Sequence, residues 1–324
     1  MIPLLEFQAT AADAGRLDRA LRVRVPACPM SELRDAVAGG RVQVNGRPAA
    51  KGTRLEVGDR VSAQSLLEVA DCRIRPDPSL PLAVLRETAV WVACDKPPGQ
   101  PTHPLEPRET GTLANALVAR YPEVAAIGDP PLMGGLLHRL DTDTSGVVLA
   151  ARTAAAYRDL RAQFRARSVS KVYFALAAGE VLAAGRAEHR LVHRPGDRGQ
   201  MAEAGSVRSR EKPMTAVTHF QPIAAAAGFT LLRVEIRTGV THQIRCQLAL
   251  LGHPLAGDAR YGGPALPGLV RHFLHAAVLT FRDPSDGLAC RVAAPLARDL
   301  AALLARLGVA VPEGERLRLA CCAK

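Results

Sequence analysis

The chain has 324 residues, 48% of them hydrophobic, which is an ordinary globular fraction and long enough for two domains with a sizeable core. Lys+Arg 42 against Asp+Glu 31 leaves a net charge of +11, a field that favours a polyanion or an anionic membrane surface. No stretch approaches the ~20 unbroken apolar residues of a membrane span, and Met1–Glu6 lacks the basic and long apolar regions of a secretory signal, so the cytoplasm is expected.

Residues 1–13 form a short lead with an edge strand around Leu4–Gln8. From Arg16 the spacing of Leu17, Ala20 and Leu21 predicts a helix that Pro26 to Pro29 break. Ser31 then caps a second helix, Glu32–Ala38, which stops at Gly39-Gly40. Arg41–Gly46 alternates as a strand and ends in an Asn-Gly turn; Val57–Val61 supplies the next turn and strand. Arg16, Arg19, Arg34, Arg41, Arg47, Lys51 and Arg54 give this segment a basic face, and phosphate neutralisation needs clustered cations. Residues 63–84, with Pro76, Pro78 and Pro81, read as a linker.

Ala89–Cys94 is a buried strand running into Asp95-Lys96-Pro97-Pro98-Gly99, where Lys96 is either a phosphate contact or a solvated turn lysine. Leu113–Arg120 is a short helix. Leu136–Ala151 reads as two strands, or strand ends, joined by a turn that displays Arg139, Asp141, Asp143 and Ser145. Ala154–Ala166 is a stronger helix with Arg158, Arg161, Arg165 and Arg167 along one side, and Val169–Leu176 is a strand by alternation. Residues 191–213 show no periodicity and read as a long polar loop. Its cations, among them Arg194, Arg198, Arg208, Arg210 and Lys212, predict an RNA-gripping arm. Phe229–Arg237 turns Leu232, Val234 and Ile236 inward as a strand. Ile244–Leu251 is a short helix, Phe273–Phe281 a strand, and Pro295–Leu307 an amphipathic helix. Strands and helices alternate without βαβ spacing, which predicts an α+β fold with a mixed, mainly antiparallel sheet, preceded by a small α+β domain.

The seven cysteines are odd in number, scattered and free of C-x-x-C spacing, so they read as reduced, mostly buried small hydrophobes. His242 and Cys246 stand four apart, but the Thr238-Gly239 turn and the β-branched and apolar run after it are not expected to hold them on one helix face, so no metal is expected.

The string His138-Arg139-Leu140-Asp141-Thr142-Asp143-Thr144-Ser145-Gly146 resembles the signature of the pseudouridine synthases of the RluA type, which isomerise uridine in structured RNA. Two further matches follow in order, Lys171-Val172-Tyr173 and Arg237-Thr238-Gly239-Val240-Thr241-His242-Gln243-Ile244-Arg245, and the resemblance covers roughly residues 85 to 300. It implies a catalytic domain over 85–310 with a tail over 311–324. Over 14–62, the two helices, Val42-Gln43-Val44-Asn45-Gly46 and Gly58-Asp59 resemble the ribosomal-protein-S-four-like (alpha-L) RNA-binding module. Two departures stand out. Met30-Ser31-Glu32 removes a cation at the start of the second helix, and Val240 replaces an arginine, with Arg237 or Arg260 as the cations that could stand in for it.

The implied reaction breaks the glycosidic carbon–nitrogen bond, turns the uracil and rejoins it through a ring carbon. Nothing is added or lost, so no cofactor is required, and neither a Walker loop nor G-x-G-x-x-G after a strand occurs. The chemistry needs one ionised carboxylate, as nucleophile or proton acceptor, which the resemblance assigns to Asp141. It assigns Arg245 to an ion pair with Asp141 and Tyr173 to stacking on a uracil flipped from its helix. Arg139, Lys96 and Lys171 are candidate RNA contacts, as are Arg16, Arg34, Arg41 and Arg47 in the N-terminal module; His138 and His242 read as buried, satisfied histidines. A monomer acting on large-subunit ribosomal RNA is expected, with transfer RNA as the alternative. Paired-carboxylate hydrolysis fails for want of a second Asp-Thr/Ser-Gly loop, and a non-catalytic RNA-binding protein leaves the shared match of Asp141, Tyr173 and Arg245 without a reason.

Overall fold

A computed structural model describes residues 2–26, 28–68, 73–106, 108–128, 132–209 and 211–309. Arg210, Cys72, Cys321, Cys322, part of the expected linker and the expected 311–324 tail lie outside the described residues. Those described fall into two compact units, one built from residues up to 74 with 106–108, the other from 75–105 and 109 onward.

The first unit runs β1 (Ile2–Gln8), β2 (Gly15–Arg16), α1 (Leu17–Arg24), α2 (Met30–Ala38), β3 (Val42–Val44), β4 (Arg47–Pro48), β5 (Arg54–Leu55) and β6 (Arg60–Leu66). A four-stranded sheet in the order β1-β6-β3-β4 carries α1 and α2 on an apolar core that includes Leu21, Leu33, Val42 and Val61. α2 starts one residue ahead of Ser31, with Pro29 at its cap and no side-chain cap bond. Asn45 takes the left-handed turn conformation, and its amide donates to Asp59, which ties the two turns together.

The second unit opens with β7 (Ala83–Glu87) and β8 (Trp91–Lys96), followed by α3 (Leu113–Arg120), β9 (Ser145–Ala151), α4 (Ala154–Arg165) and β10 (Ser170–Ala178). It continues with β11 (Gly185–Arg194), β12 (Asp197–Glu203), β13 (Met214–Ala226), β14 (Phe229–Ile236), α5 (Gln243–Leu250), β15 (Leu274–Arg282), β16 (Ala289–Ala293) and α6 (Arg298–Arg306). A capping box of Thr112 and Asn115 starts α3, and Thr153 caps α4. One ten-stranded sheet runs β12-β11-β13-β14-β10-β15-β9-β8-β7, with β16 also on β15. All its pairings are antiparallel except β9 with β15. β9 and β16 share one edge of β15, β9 at His275 and Ala276 and β16 from Val278 onward. Every residue of β9 is buried, as a central strand's apolar run should be.

Three expectations are corrected. The segment before Asp141 is no strand: Leu136 makes a single bridge to Ala150, and residues 138–144 form a loop. The presumed arm is largely the hairpin β11–β12, whose apolar side rests on the small cluster of Leu191, Met201, Ala216 and Cys246, too sparse a set to register as alternation. Part of the supposed linker is paired strand, the end of β6 and the start of β7. Among the described residues, no helix is long and apolar enough to cross a membrane.

Candidate active site

The loop 138–144, with Ser145 at the start of β9, lies over polar groups that hold its backbone from beneath. Lys96, at the end of β8 and with no exposed surface, donates from Nζ to the carbonyls of Pro97, Gln100 and Thr142, each at 2.8 Å. It is neither a phosphate contact nor a solvated lysine. Burial pushes its ammonium down to about 7, aided by Arg271, while Asp141 and Asp143 pull it back up. Arg271 reaches the Asp143 carbonyl from Nη1 at 2.7 Å and Ser145 Oγ from Nη2 at 3.2 Å, with its other side forked on Asp299. Thr102 Oγ1 donates to the Leu140 carbonyl and accepts the Leu140 N–H.

The two hydroxyls that end the loop meet histidines, Thr144 Oγ1 with His272 Nε2 at 2.8 Å and Ser145 Oγ with His275 Nδ1 at 2.9 Å. Burial pushes both rings down to about 4, so both are neutral near pH 7. Gly146 has φ +115°, and a Cβ there would stand 2.1 Å from the Ala276 carbonyl oxygen. Only glycine lets β9 approach β15 this closely, which gives the Thr-Ser-Gly ending of the motif a backbone reason.

Above this floor Asp141 keeps a fifth of its side-chain surface exposed. Its Oδ2 accepts a bond from Arg245 Nη1 at 3.0 Å. Arg245 stands in the first turn of α5, where Nε and Nη2 fork onto the buried Asp258 at 2.7 and 2.8 Å. Burial acts to lower the guanidinium's pKa, but Asp258 and Asp141 together hold it above its ordinary value. A planar fork held on one carboxylate with one N–H left for a second is a geometry lysine cannot copy.

Tyr173 is buried beside the same cleft, of about 400 Å³, that Asp141 and Arg245 line. The register between β10 and β15 shifts between Val172 and Tyr173, an irregularity of the kind that re-aims a side chain next to a site. Burial, with Asp141 nearby, pushes the Tyr173 phenol well above its ordinary range, so it stays protonated. Lys171 also lines the cleft, but its ammonium is buried and donates to the Thr238 carbonyl at 2.6 Å, so it is not presented to a phosphate. His138 lies against the Phe164 ring and its Nε2 accepts the Leu149 N–H. The exposed cations at the mouth are Arg139, Arg165 of α4 and Arg237, and α4 also adds the half-buried Arg161 to the lining.

Val240 packs with Tyr261 against the cluster beneath the β11–β12 hairpin, so an apolar residue suits that position. Arg260 is engaged with Asp197 of the hairpin, whereas Arg237 remains exposed at the cleft. His242 and Cys246 do stand one helical turn apart, contrary to expectation, because α5 starts at Gln243 and Cys246 N–H donates to the His242 carbonyl. The thiol, however, faces the Met201 carbonyl. Sequence reasoning missed Asp258, Arg271, His272 and His275. Arg271 and His272 stand just ahead of the apolar run 273–281, His275 lies inside it, and Asp258 follows a glycine, so none carries a signal beyond its own residue type.

In the N-terminal unit a groove of about 560 Å³ gathers Arg16, Arg34 and Lys51 with Asp18 and Asp35. Arg41 is turned to Glu32 and the Ser65 carbonyl, and Arg47 sits exposed on β4, so neither lines that groove.

Comparison with known proteins adds the following. Residues 90–250 match the family model described as RNA pseudouridylate synthase, and residues 15–61 match the S4 domain. The chain is 34% identical to the ribosomal large subunit pseudouridine synthase D of Xanthomonas campestris, covering 93% of this chain and 92% of that protein. It is 32% identical to the protein of the same name from Yersinia pestis, over 94% and 95% of the two chains. Among solved structures, human RNA pseudouridylate synthase domain containing 4 superposes with a TM-score of 0.56 at 24% identity, covering 71% of this chain and 94% of that one, a likeness of fold.

Proposed function

The chain belongs to the RNA pseudouridylate synthase family and carries an RNA-binding S4 domain, and from that premise we propose that it isomerises uridine to pseudouridine in large-subunit ribosomal RNA, with Asp141 as the reacting carboxylate. The observation that carries the assignment is the Asp141–Arg245 pair at 3.0 Å in a partly open cleft, with Arg245 locked from behind by Asp258. A carboxylate that sheds water when substrate enters would tend to take a proton; the guanidinium beside it opposes that. Either attack on the nucleoside or proton removal requires that carboxylate in its ionised form.

The uridine is flipped into the cleft, where Tyr173 supplies a flat apolar face for the base and a hydroxyl that stays protonated. Arg139, exposed beside Asp141, takes a phosphate or the place of the departed base. The substrate choice rests on the names and near full-length match of the relatives, and the arginines of the N-terminal unit supply backbone contacts that position RNA without naming a uridine. A cytoplasmic monomer completes the proposal. Asp141→Asn keeps the shape of the side chain and removes its charge: pseudouridine formation in ribosomal RNA, read after incubation without added cofactor, should fall on the order of 1,000-fold while RNA binding persists. Near-normal product from this variant would refute the role given to Asp141.

A further inference from the structure

The geometry points to His242 as a positioning residue that aims its Nε2–H at Asp141 in a close charge–dipole contact, in a tautomer set by Tyr261, so that one carboxylate oxygen is held and the other is left to react. This rests on the reading of Asp141 as the reacting group and adds the question of which oxygen works.

One hydrogen bond and one longer polar contact converge on the same oxygen. Arg245 Nη1 stands 3.0 Å from Asp141 Oδ2, and His242 Nε2 stands 3.6 Å from that atom. Asp141 Oδ1 accepts no hydrogen bond among the described residues. The other ring nitrogen, Nδ1, lies 3.0 Å from the Tyr261 hydroxyl, which already accepts the Met201 N–H at 2.8 Å. With one lone pair used on Met201, the phenol's own proton is free to go to Nδ1, and burial keeps that phenol protonated at any working pH. An Nδ1 that accepts leaves the ring proton on Nε2, facing Asp141.

The charge state agrees with this wiring. Burial lowers the pKa of His242, as do Arg245 and Arg260, against the opposite pull of Asp141 and Asp258, so the ring is neutral with one proton to place. Tyr261 supports both donors at once, since the Arg245 guanidinium lies over its ring at 5.2 Å. The backbone supplies an independent sign. His242 sits at φ +50°, ψ +21°, in the left-handed region that few residues other than glycine enter, at the cap of α5. Strain of this kind persists where the surroundings dictate it, and it places the imidazole between Tyr261 and Asp141. Met201 belongs to the β11–β12 hairpin, so the hairpin is a strut for the catalytic carboxylate through Tyr261.

The test uses the full chain with nitrogen-15-labelled histidine and single-turnover assays on ribosomal RNA. The His242 signal, assigned by its loss in His242→Asn, should show the Nε2–H tautomer, and Tyr261→Phe should shift it toward Nδ1–H. The Nδ1–H form in the unaltered protein would overturn the proposal. In the assay, Tyr261→Phe and His242→Asn should each slow product formation about tenfold at unchanged RNA affinity. Asparagine tolerates the left-handed backbone but its amide reaches only the Nδ1 position; His242→Gln puts an N–H where Nε2 was and should recover most of the rate. A Tyr261→Phe protein at full rate, a glutamine variant no faster than the asparagine one, or losses that appear in RNA affinity would each overturn the role. Asp141→Asn run alongside separates the two readings: if it is inactive the carboxylate assignment stands whatever His242 does, and if it is active both fall.

Discussion

The cations around Asp141 form two populations with opposite duties. Beneath the loop, Lys96 and Arg271 are buried and hold the carbonyls of Thr142 and Asp143. At the mouth, Arg139 and Arg237 are exposed, and among the described residues Arg237 makes a loose contact, 3.9 Å, with Glu235. Each bond from a charged donor contributes about 1.5–3 kcal/mol, while burying an ammonium costs several, so the floor is stable only with all its bonds made. The mouth has no such debt and is free to meet phosphate. A lysine in a Lys-Pro-Pro-Gly turn and an arginine before an aspartate look alike in a sequence; what separates them is whether carbonyls surround them.

Breaking the floor should have the largest effect. Lys96→Met keeps the bulk and leaves the Pro97, Gln100 and Thr142 carbonyls without their charged donor, so chemical denaturation should show a loss of about 5 kcal/mol with no change in the salt dependence of RNA binding. Next comes Arg245→Ala, which strands Asp258 as a buried charge and should lower stability by about 4 kcal/mol. It also removes the N–H held on Asp141 Oδ2, so product formation should fall well beyond any loss of RNA affinity; a loss confined to affinity would assign Arg245 to RNA contact instead.

The histidines test the floor through pH. His272 and His275 are held at about 4 in the folded chain against an ordinary 6.5, so between those values the unfolded chain binds more protons and stability falls as pH falls. The contribution is complete above pH 6.5 and disappears as pH drops to about 4, by at most about 3 kcal/mol per ring. Thermal unfolding followed from pH 7 to 4 should show this decline, and His275→Gln should flatten it. The smallest effect belongs to the mouth: Arg139→Ala should leave unfolding unchanged, weaken RNA binding by under about 1 kcal/mol, and reduce the slope of log affinity against log salt by about one.

Much of the site was legible because its residues sit in one ordered string of motifs. Asp141, Tyr173 and Arg245, far apart in the chain, line one cleft. The α+β class and mainly antiparallel sheet were legible from strand patterning, and α3 matches its expected span, Leu113–Arg120. The hairpin β11–β12 was not, since it gives only Leu191 and Met201 to the small cluster beneath it and polar residues fill most of its other positions. β13, the thirteen-residue strand Met214–Ala226, was also missed, because alanines and a proline dilute its alternation. Lys96 was misread for a deeper reason: burial of a turn lysine depends on Thr142, which lies 46 residues away, and no local pattern reports that.

The supports of Asp141 come from remote parts of the chain: Lys96 precedes it, Arg245 follows 104 residues later, and the Arg271 that grips Asp143 lies 128 residues beyond it and is itself held by Asp299. Such contacts form late, after the cost of closing long loops has been met. During synthesis the motif bearing Asp141 therefore leaves the ribosome with most of its scaffold still untranslated. At about 5–20 residues per second, roughly ten to thirty seconds separate Asp141 from Asp299, and through that interval the loop that carries Asp141 has only Lys96 and Thr102 of its floor in hand. A chain stalled before Arg271 would hold the first half of the loop on Lys96 and Thr102 while the Asp143 carbonyl and the Ser145 hydroxyl still lacked the guanidinium that reaches them.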